Sequence, residues 1–426
     1  MEMLIMFGSL LLLISIGLPI GYAIAASTIL TFIVVGNVPL SMVAQNAFTG
    51  IDSFVLLAIP FFILAGVLMS KGGVARRLVD FADSIIGFVS GGLGMASIVT
   101  GTLFSAMSGS GAATTSAVGS LMLPEMKRKG YDENFSASLV ASAGSFGVVL
   151  PPSIPLVVYG VTVGASIGDL FLAGVPGGLM MVAALLIACY FISRKKGFKG
   201  SDTRPSAKGI AIAFKDGIWA LIAPVIILGG IYSGIFTPTE SAVVAVVYSL
   251  IVGAFIYKEL DFKKMKEAFY EAAVINGVIV FIIGFSAAMA RFLALQNVPQ
   301  QVSRAVLSIT DNPILILLVI NVFLLILGMV IDNIPAIIIL SPILLPVVES
   351  AGVSSLNFGV IIVLNLAIGY ITPPYGTTIF VSAAVAKLPV ENLFKYGLIF
   401  AGVLCIPLML VTYFPIFTDG FVALFK

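Results

Sequence analysis

The chain has 426 residues, 60% of them hydrophobic and only 10% charged, with a mean hydropathy of +1.16. No soluble globular domain has this composition, so the chain reads as an all-α polytopic membrane protein. The net charge of +2 is spread over short loops and gives no footing for nucleic acid. The absence of histidine removes the usual proton shuttle and metal ligand, and Cys189 and Cys405 lie in apolar runs as small core residues.

In chain order, residues 1–20 lack a basic n-region and a convincing cleavage site, so no signal peptide is expected. Residues 3–35 are apolar and broken at Gly17-Leu-Pro19, which predicts a kinked span or a pair of shorter helices. A span at 52–70 follows, and residues 1–84 form a first scaffold segment. Residues 85–193 form a first transport segment, with a re-entrant hairpin over 85–126, a helix over 134–168 broken at Pro151-Pro152, and a final span at 170–193. A polar stretch over 194–216 is read as a cytoplasmic linker. Residues 217–305 are a second scaffold segment, whose break at Thr237-Pro-Thr239 mirrors that at Pro19. Residues 312–416 form a second transport segment, with a hairpin over 313–349 and a helix over 357–387 broken at Pro373-Pro374.

The two transport segments are copies. Adding 222 maps Pro124 onto Pro346, Gly130 onto Gly352, Gly147 onto Gly369, and Pro151 and Pro152 onto Pro373 and Pro374, with no gap from Leu103 to Asp169. Three coincident prolines, two of them adjacent, identify an internal duplication. Charge gives its sense. If the first hairpin enters from the cytoplasm, its exit loop is Lys127-Arg-Lys129, whereas the equivalent loop at 349–355 has no Lys or Arg. Residues 165–173 are likewise free of them while 387–395 hold two, so equivalent loops face opposite sides and the repeats are inverted. This threading puts all but Arg291, Arg304 and Lys426 of the 22 basic residues inside and both termini in the periplasm.

Residues 106–120 contain a run of Ser, Gly and Thr at membrane depth. Backbone that leaves a helix in hydrocarbon strands polar groups at roughly 2–7 kcal/mol each, which is tolerated where the break lines a cavity or is sealed by protein. Half-helix N-termini offer N–H donors to an anion, and unwound carbonyls offer oxygens to Na⁺. The expected Na⁺ ligands are Ser108, Gly109, Ser110 and Gly111 facing Gly147, Leu150, Pro151 and Pro152, and Asp332 and Asn333 facing Gly369, Thr372, Pro373 and Pro374. Asp332 is the one acidic residue placed deep in the membrane. At about 2.5–3.5 kcal/mol for a charge at the bilayer centre it needs a reason, either a cation ligand or a helix cap. Substrate contacts are expected from Ser108, Ser110, Ser153, Asn333, Thr377 and Thr378. Asp52, Asp80, Asp83 and Glu240 read as loop or cap residues, and the basic clusters at Lys127, Arg194 and Lys263 as topology determinants. Enzyme readings fail: one membrane Asp does not make an aspartyl dyad, no His serves a metal, and no Lys lies at membrane depth to pair with Ser.

The two halves, the Ser108-Gly-Ser-Gly111 and Asp332-Asn333 tips and the two Pro-Pro breaks resemble the large membrane subunit of tripartite ATP-independent periplasmic (TRAP) transporters, over essentially the whole chain. The resemblance implies a Na⁺-driven importer in the bacterial inner membrane, working as an elevator with a static scaffold and a moving transport domain. It implies two partners, a separate small four-helix membrane subunit and a periplasmic substrate-binding protein, and an organic-acid substrate, sialic acid or a C4-dicarboxylate, with a lean toward the sialic-acid type. A stand-alone Na⁺/dicarboxylate symporter of the same architecture is the alternative.

Overall fold

The computed structural model describes residues 2–36, 38–200, 206–310 and 312–426, and every regular element among them is helical. The helices are α1 (Glu2–Ser15), α2 (Ile20–Val35), α3 (Ser41–Ile51), α4 (Ala58–Lys71, entered by a 3₁₀ turn at Phe54–Leu57), α5 (Val74–Ile86), α6 (Gly92–Ser108), α7 (Gly111–Arg128), α8 (Glu133–Ser145), α9 (Ile154–Val163) and α10 (Ile167–Lys196). They continue as α11 (Ala207–Tyr232), α12 (Pro238–Ile251, running on as a π-helical turn at Val252–Ile256), α13 (Phe262–Leu295), α14 (Val298–Ile309), α15 (Pro313–Gly328), α16 (Asn333–Ser350), α17 (Ser355–Gly369), α18 (Thr377–Ala386), α19 (Glu391–Tyr413) and α20 (Asp419–Ala423). Among the described residues, seven helical segments are long and apolar enough to cross a membrane: Phe54–Lys71, Pro238–Ile256, α10, α11, α13, α16 and α19. At 1.5 Å per residue, the ten-residue α9 and α18 each cover about 15 Å, half the hydrocarbon thickness.

Local chemistry explains the ends. Gly17 at φ +86° and Pro19 split the first apolar run into α1 and α2, so the pair of short helices holds rather than a kinked span. Thr237 and Glu240 form a capping box at the start of α12, which accounts for Glu240 without a substrate. Other boundaries differ from the sequence reading. Residues 85 and 86 belong to α5, and the first hairpin proper runs from Gly92 to Arg128, because Gly91 at φ +78° ends the intervening turn. The helix expected over 134–168 ends at Val163, where Gly164 turns left-handed. The expected linker at 194–216 is shorter. Helix α10 runs to Lys196 and α11 starts at Ala207, and residues 201–205 lie outside the described residues.

What remains of that linker is docked. The Phe198 ring stacks on Tyr131 at 4.7 Å between centroids, its carbonyl accepts from Gly91 N, and the Tyr131 hydroxyl donates to Lys199 O at 3.0 Å. Beside it Lys196 Nζ lies 2.8 Å from Asp132 Oδ2. Burial pushes the Asp132 carboxyl up, but the hydrogen bond from Lys196 and the amides of Phe135 and Asn134 more than offset this and hold it below its ordinary value.

Two groups of helices emerge. Helices α2–α4 pack with α11–α13, chiefly α4 on α12 and α13, and α3 and α2 on α13, with α1 on α2, while α14 and α13 lie against α16. Helices α6–α10 pack with α15–α19, while α5 bridges α11 and α6. Within the second group the half-spans are exchanged: α18 lies on α7 and α8, and α9 lies on α16 and α17. Ser382 of α18 donates to Ala137 O of α8 at 2.7 Å, and Tyr159 of α9 donates to Ser355 O of α17 at 2.7 Å. A buried amide chain ties α15, α17 and α19: Asn365 Nδ2 donates to Asn321 Oδ1 at 2.7 Å, and Asn321 Nδ2 to Thr412 Oγ1 at 3.2 Å. Asn321→Ala removes one of the two acceptors of Asn365 Nδ2, which keeps its bond to Ile361 O at 2.8 Å, and a loss of about 1 kcal/mol is expected. A lowered melting midpoint in detergent checks this, and an unchanged midpoint would remove the chain as a tie between these helices.

Candidate functional site

At the first tip α6 ends on Ser108, Gly109 turns left-handed at φ +60°, and extended Ser110 caps α7, its Oγ accepting from Ala113 N at 3.4 Å. The Ser108 hydroxyl is fully buried and pairs with Thr114 Oγ1 at 2.9 Å. This tip rests on the first break. A Cβ at Gly147 would stand 2.6 Å from Ser110 O, and one at Gly109 would stand 2.7 Å from Pro152 O. The other side of the tip meets α4, where a Cβ at Gly66 would lie 3.0 Å from Ser108 Cα. The break leaves α8 through a 3₁₀ turn at Phe146–Val148, and the Pro151–Pro152 bond is cis. Pro151, Pro152 and Ser153 are all buried.

The second tip has the same plan with different groups. Helix α15 ends at Gly328, and Met329–Ile331 turn back on Leu325, Ile326 and Leu327 carbonyls. Asp332, at the position matching Ser110, caps α16, its Oδ1 accepting from Asn333 N at 2.8 Å. Both roles weighed for Asp332 therefore meet in one carboxylate: Oδ1 caps the helix, while Oδ2 has no hydrogen-bond partner among the described residues. A Cβ at Gly369 would collide with Gly328 O, and Tyr375 N donates to Met329 O at 3.0 Å, so this tip is seated on the second break. Pro373–Pro374 is also cis. At the 222 offset the second break is shifted along the chain: α17 ends at Gly369, two positions later than α8, and α18 starts at Thr377, one position later than α9, after Gly376 at φ +39°. The two sites also differ in access. Pro374 and Tyr375 are exposed and Asp332 and Pro373 half-buried, while the first break is closed.

The expected residues gather as two clusters, tip on break, and the structure refines the expected donors. The Ser153 hydroxyl donates to Val148 O while accepting from Leu156 N, so it works as the α9 cap and has no proton left for a substrate. Thr378 Oγ1 donates to Tyr370 O at 2.8 Å and is committed in the same way. Thr377 Oγ1 is buried without a partner among the described residues, and so are both amide atoms of fully buried Asn333. The sequence reading missed Tyr370. Its hydroxyl donates to Asp332 Oδ1, and its ring lies against the first tip, where a Cβ at Gly111 would stand 3.3 Å from Cδ2. A phenol beside Gly369 in an apolar run needs a hydrogen-bond partner, and that was the available signal.

The sequence profile of the DctM component of the tripartite ATP-independent periplasmic transporter matches residues 7–417. The chain belongs to this TRAP transporter family. It is a multi-pass membrane permease component and not an enzyme. It is similar to the isethionate TRAP transporter permease protein DctMQ of Oleidesulfovibrio alaskensis, 43% identical over 96% of this chain, which spans 65% of that protein's length. The C4-dicarboxylate TRAP transporter large permease protein DctM of Pseudomonas aeruginosa is 39% identical, with 87% of each chain covered. The sialic acid TRAP transporter large permease protein SiaM of Vibrio cholerae is 37% identical over 97% of this chain and 96% of its own. These identities do not single out the sialic-acid type. Among solved structures, the fold is similar to the YdaH transporter of Alcanivorax borkumensis, with a TM-score of 0.63, 13% identity, and 87% and 86% of the two chains covered.

The glycines under the tips give a direct test of the seating. Gly147→Ala and Gly369→Ala each force a methyl into the backbone of the facing hairpin, and about 1–3 kcal/mol of destabilisation is expected from such overpacking. Both variants should lose uptake and melt earlier. Wild-type melting and uptake in both would show that the tips do not rest on these residues.

Proposed function

We propose that this chain is the large membrane subunit of a Na⁺-driven importer of a small organic anion, in the bacterial inner membrane, with both termini periplasmic. It works with a small four-helix membrane subunit and a periplasmic binding protein that delivers the substrate. The relatives' names supply the substrate class: isethionate, a C4-dicarboxylate and sialic acid are all organic anions. The family's tripartite description supports the two partners, and it disfavours the stand-alone symporter.

The observation that carries the reading is the pairing of a capped half-helix start with an unwound break at each tip. The starts of α7 and α16 present N–H groups, and the free Asp332 Oδ2, the unpartnered Asn333 amide and the turn carbonyls present oxygens. An anion and a monovalent cation suit these ends respectively. On this reading Ser108, Gly109, Ser110 and Gly111 with Gly147, Leu150 and Pro151 hold one Na⁺. Asp332 and Asn333 with Gly369, Thr372 and Pro373 hold another. Ser108, Ser110, Asn333 and Thr377 face the substrate.

The moving body is the α6–α10 and α15–α19 group, two inverted repeats that slide as an elevator past α1–α4 and α11–α14. Na⁺ and substrate drive this motion only by as much as they bind one position better than the other.

Asp332→Ala should abolish uptake driven by a Na⁺ gradient in proteoliposomes supplied with the cognate binding protein, while the variant still folds and melts lower only by the loss of the α16 cap, about 0.5–2 kcal/mol. Uptake at the wild-type rate would remove Asp332 from the site, uptake undiminished in K⁺ would remove Na⁺ as the driver, and full uptake without the binding protein would favour the stand-alone symporter. Inversion has its own check. A cysteine at Ser354 should react with an impermeant maleimide from the periplasm and one at Lys129 from the cytoplasm, and reaction from one side only would refute it.

A further inference from the structure

Tyr370 touches both tips. It follows α17 immediately before the second break and is only 9% exposed. Its hydroxyl donates to Asp332 Oδ1, the carboxylate oxygen that also accepts from Asn333 N and caps α16. Its ring closes on Gly111, the first residue of α7, with the Thr378 methyl beside it. Its backbone is equally fixed, since Tyr370 O accepts from both Thr378 N at 3.2 Å and Thr378 Oγ1 at 2.8 Å across the break. Glycine at 111 is what lets the ring approach, because any Cβ there would press on Tyr370 Cδ2, the Thr378 methyl and Gly144 O at once, each at 3.2–3.3 Å. The matching position in the first repeat is Val148, so the bridge exists on one side only.

We infer that Tyr370 is a positioning residue that couples the two tips, so that what occupies the Asp332 carboxylate is felt at Gly111. The chemistry is a competition for one carboxylate. A cation held on Asp332 Oδ2 draws charge from the whole group, which leaves Oδ1 a poorer acceptor for the phenol proton. The phenol then loses the bond that fixes its ring, and the ring is the wall against which Gly111 packs. Conversely, a first tip that closes firmly on the ring holds the hydroxyl on Asp332 and the α16 cap in place. Such a bridge makes the two sites fill and empty together without direct contact between their ligands. The inference rests on the transport reading of the tips, and its test is separate from the test of that reading.

The experiment uses the full chain in liposomes, with Cys189 and Cys405 replaced by alanine and Ala112→Cys as a reporter in the first turn of α7. Ala112 is half-buried and is neither an expected ligand nor in contact with Asp332 by any hydrogen bond. Maleimide labelling rates are compared for the parent, Tyr370→Phe, Asp332→Ala and the double variant, with melting curves for each. Tyr370→Phe keeps the ring and removes only the hydroxyl. Each single variant should speed labelling about tenfold to a hundredfold, the range expected for losing a hydrogen bond to a carboxylate, and the double variant should be no faster than either.

Unchanged labelling in Tyr370→Phe, or rates that multiply in the double variant, overturns the coupling, since a merely structural tyrosine would move the melting point and not this non-additivity. The same rates are read in NaCl and KCl. Na⁺ should slow labelling in the parent, and Tyr370→Phe should shift the Na⁺ concentration for half effect. If Na⁺ has no effect in the parent, the Na⁺ reading of the tips fails, while the double-variant comparison still decides the role of Tyr370.

Discussion

A chain that interrupts its own helices inside hydrocarbon has to find partners for the freed backbone, and here one interruption is sealed by another. The first hairpin tip rests on the first break through Gly147 and Gly109, and the second rests on the second through Gly369 and the Tyr375 N–H. In each pair a glycine removes the Cβ that would hold the two backbones apart. Neither the tip nor the break is tolerable alone at membrane depth, and together they bury a set of helix ends with few atoms in between. The packing of α9 on α16 and α17, and of α18 on α7 and α8, follows from the same need, because each ten-residue half-span must cover its ends with the other repeat.

The two copies meet this constraint with different chemistry. The first closes its break completely: Ser153 both donates to Val148 O and caps α9, and Pro151 and Pro152 are buried. The second replaces the capping serine of the tip with Asp332, starts its half-span one position later at Thr377, and leaves Pro374 and Tyr375 exposed. A neutral cap asks nothing more of its surroundings. A carboxylate cap does, and the Tyr370 hydroxyl together with Asn333 N answers for Oδ1 while Oδ2 stays free. The charge, the open break and the unpartnered Asn333 amide therefore fall on one side of an otherwise repeated framework.

Much of this framework was readable from residue types. Proline and glycine act through backbone geometry alone, so the coincidences at an offset of 222 mark both breaks and both tips, and α7 and α16 begin and end at that offset. Boundaries set by tertiary contact were not readable. Residues 85–86 join α5, whose packing on α6 and α11 no local signal announces. The polar stretch after Ser193 looked like a free linker, but Phe198 is held by Tyr131 and Gly91, partners far along the chain. Hydroxyl roles were the least legible. Ser153 and Thr378 look like ligand donors in one dimension, yet each donates to a carbonyl freed by its own break. Tyr370 was hidden because its hydroxyl and its ring serve elements 38 residues away and in the other repeat.

The interleaving limits how such a molecule can move. With α18 bonded to α8 through Ser382, and α9 bonded to α17 through Tyr159, neither repeat can shift without carrying the other. Contacts with the remaining helices are of another kind. α4 meets the first tip at Gly66, a smooth surface of backbone on backbone, and α13 and α14 meet α16 through buried apolar side chains. Directional hydrogen bonds inside one body and mostly non-directional contact between bodies make sliding between them cheaper than shearing within either. The tips and breaks of both repeats thus belong to one interleaved body.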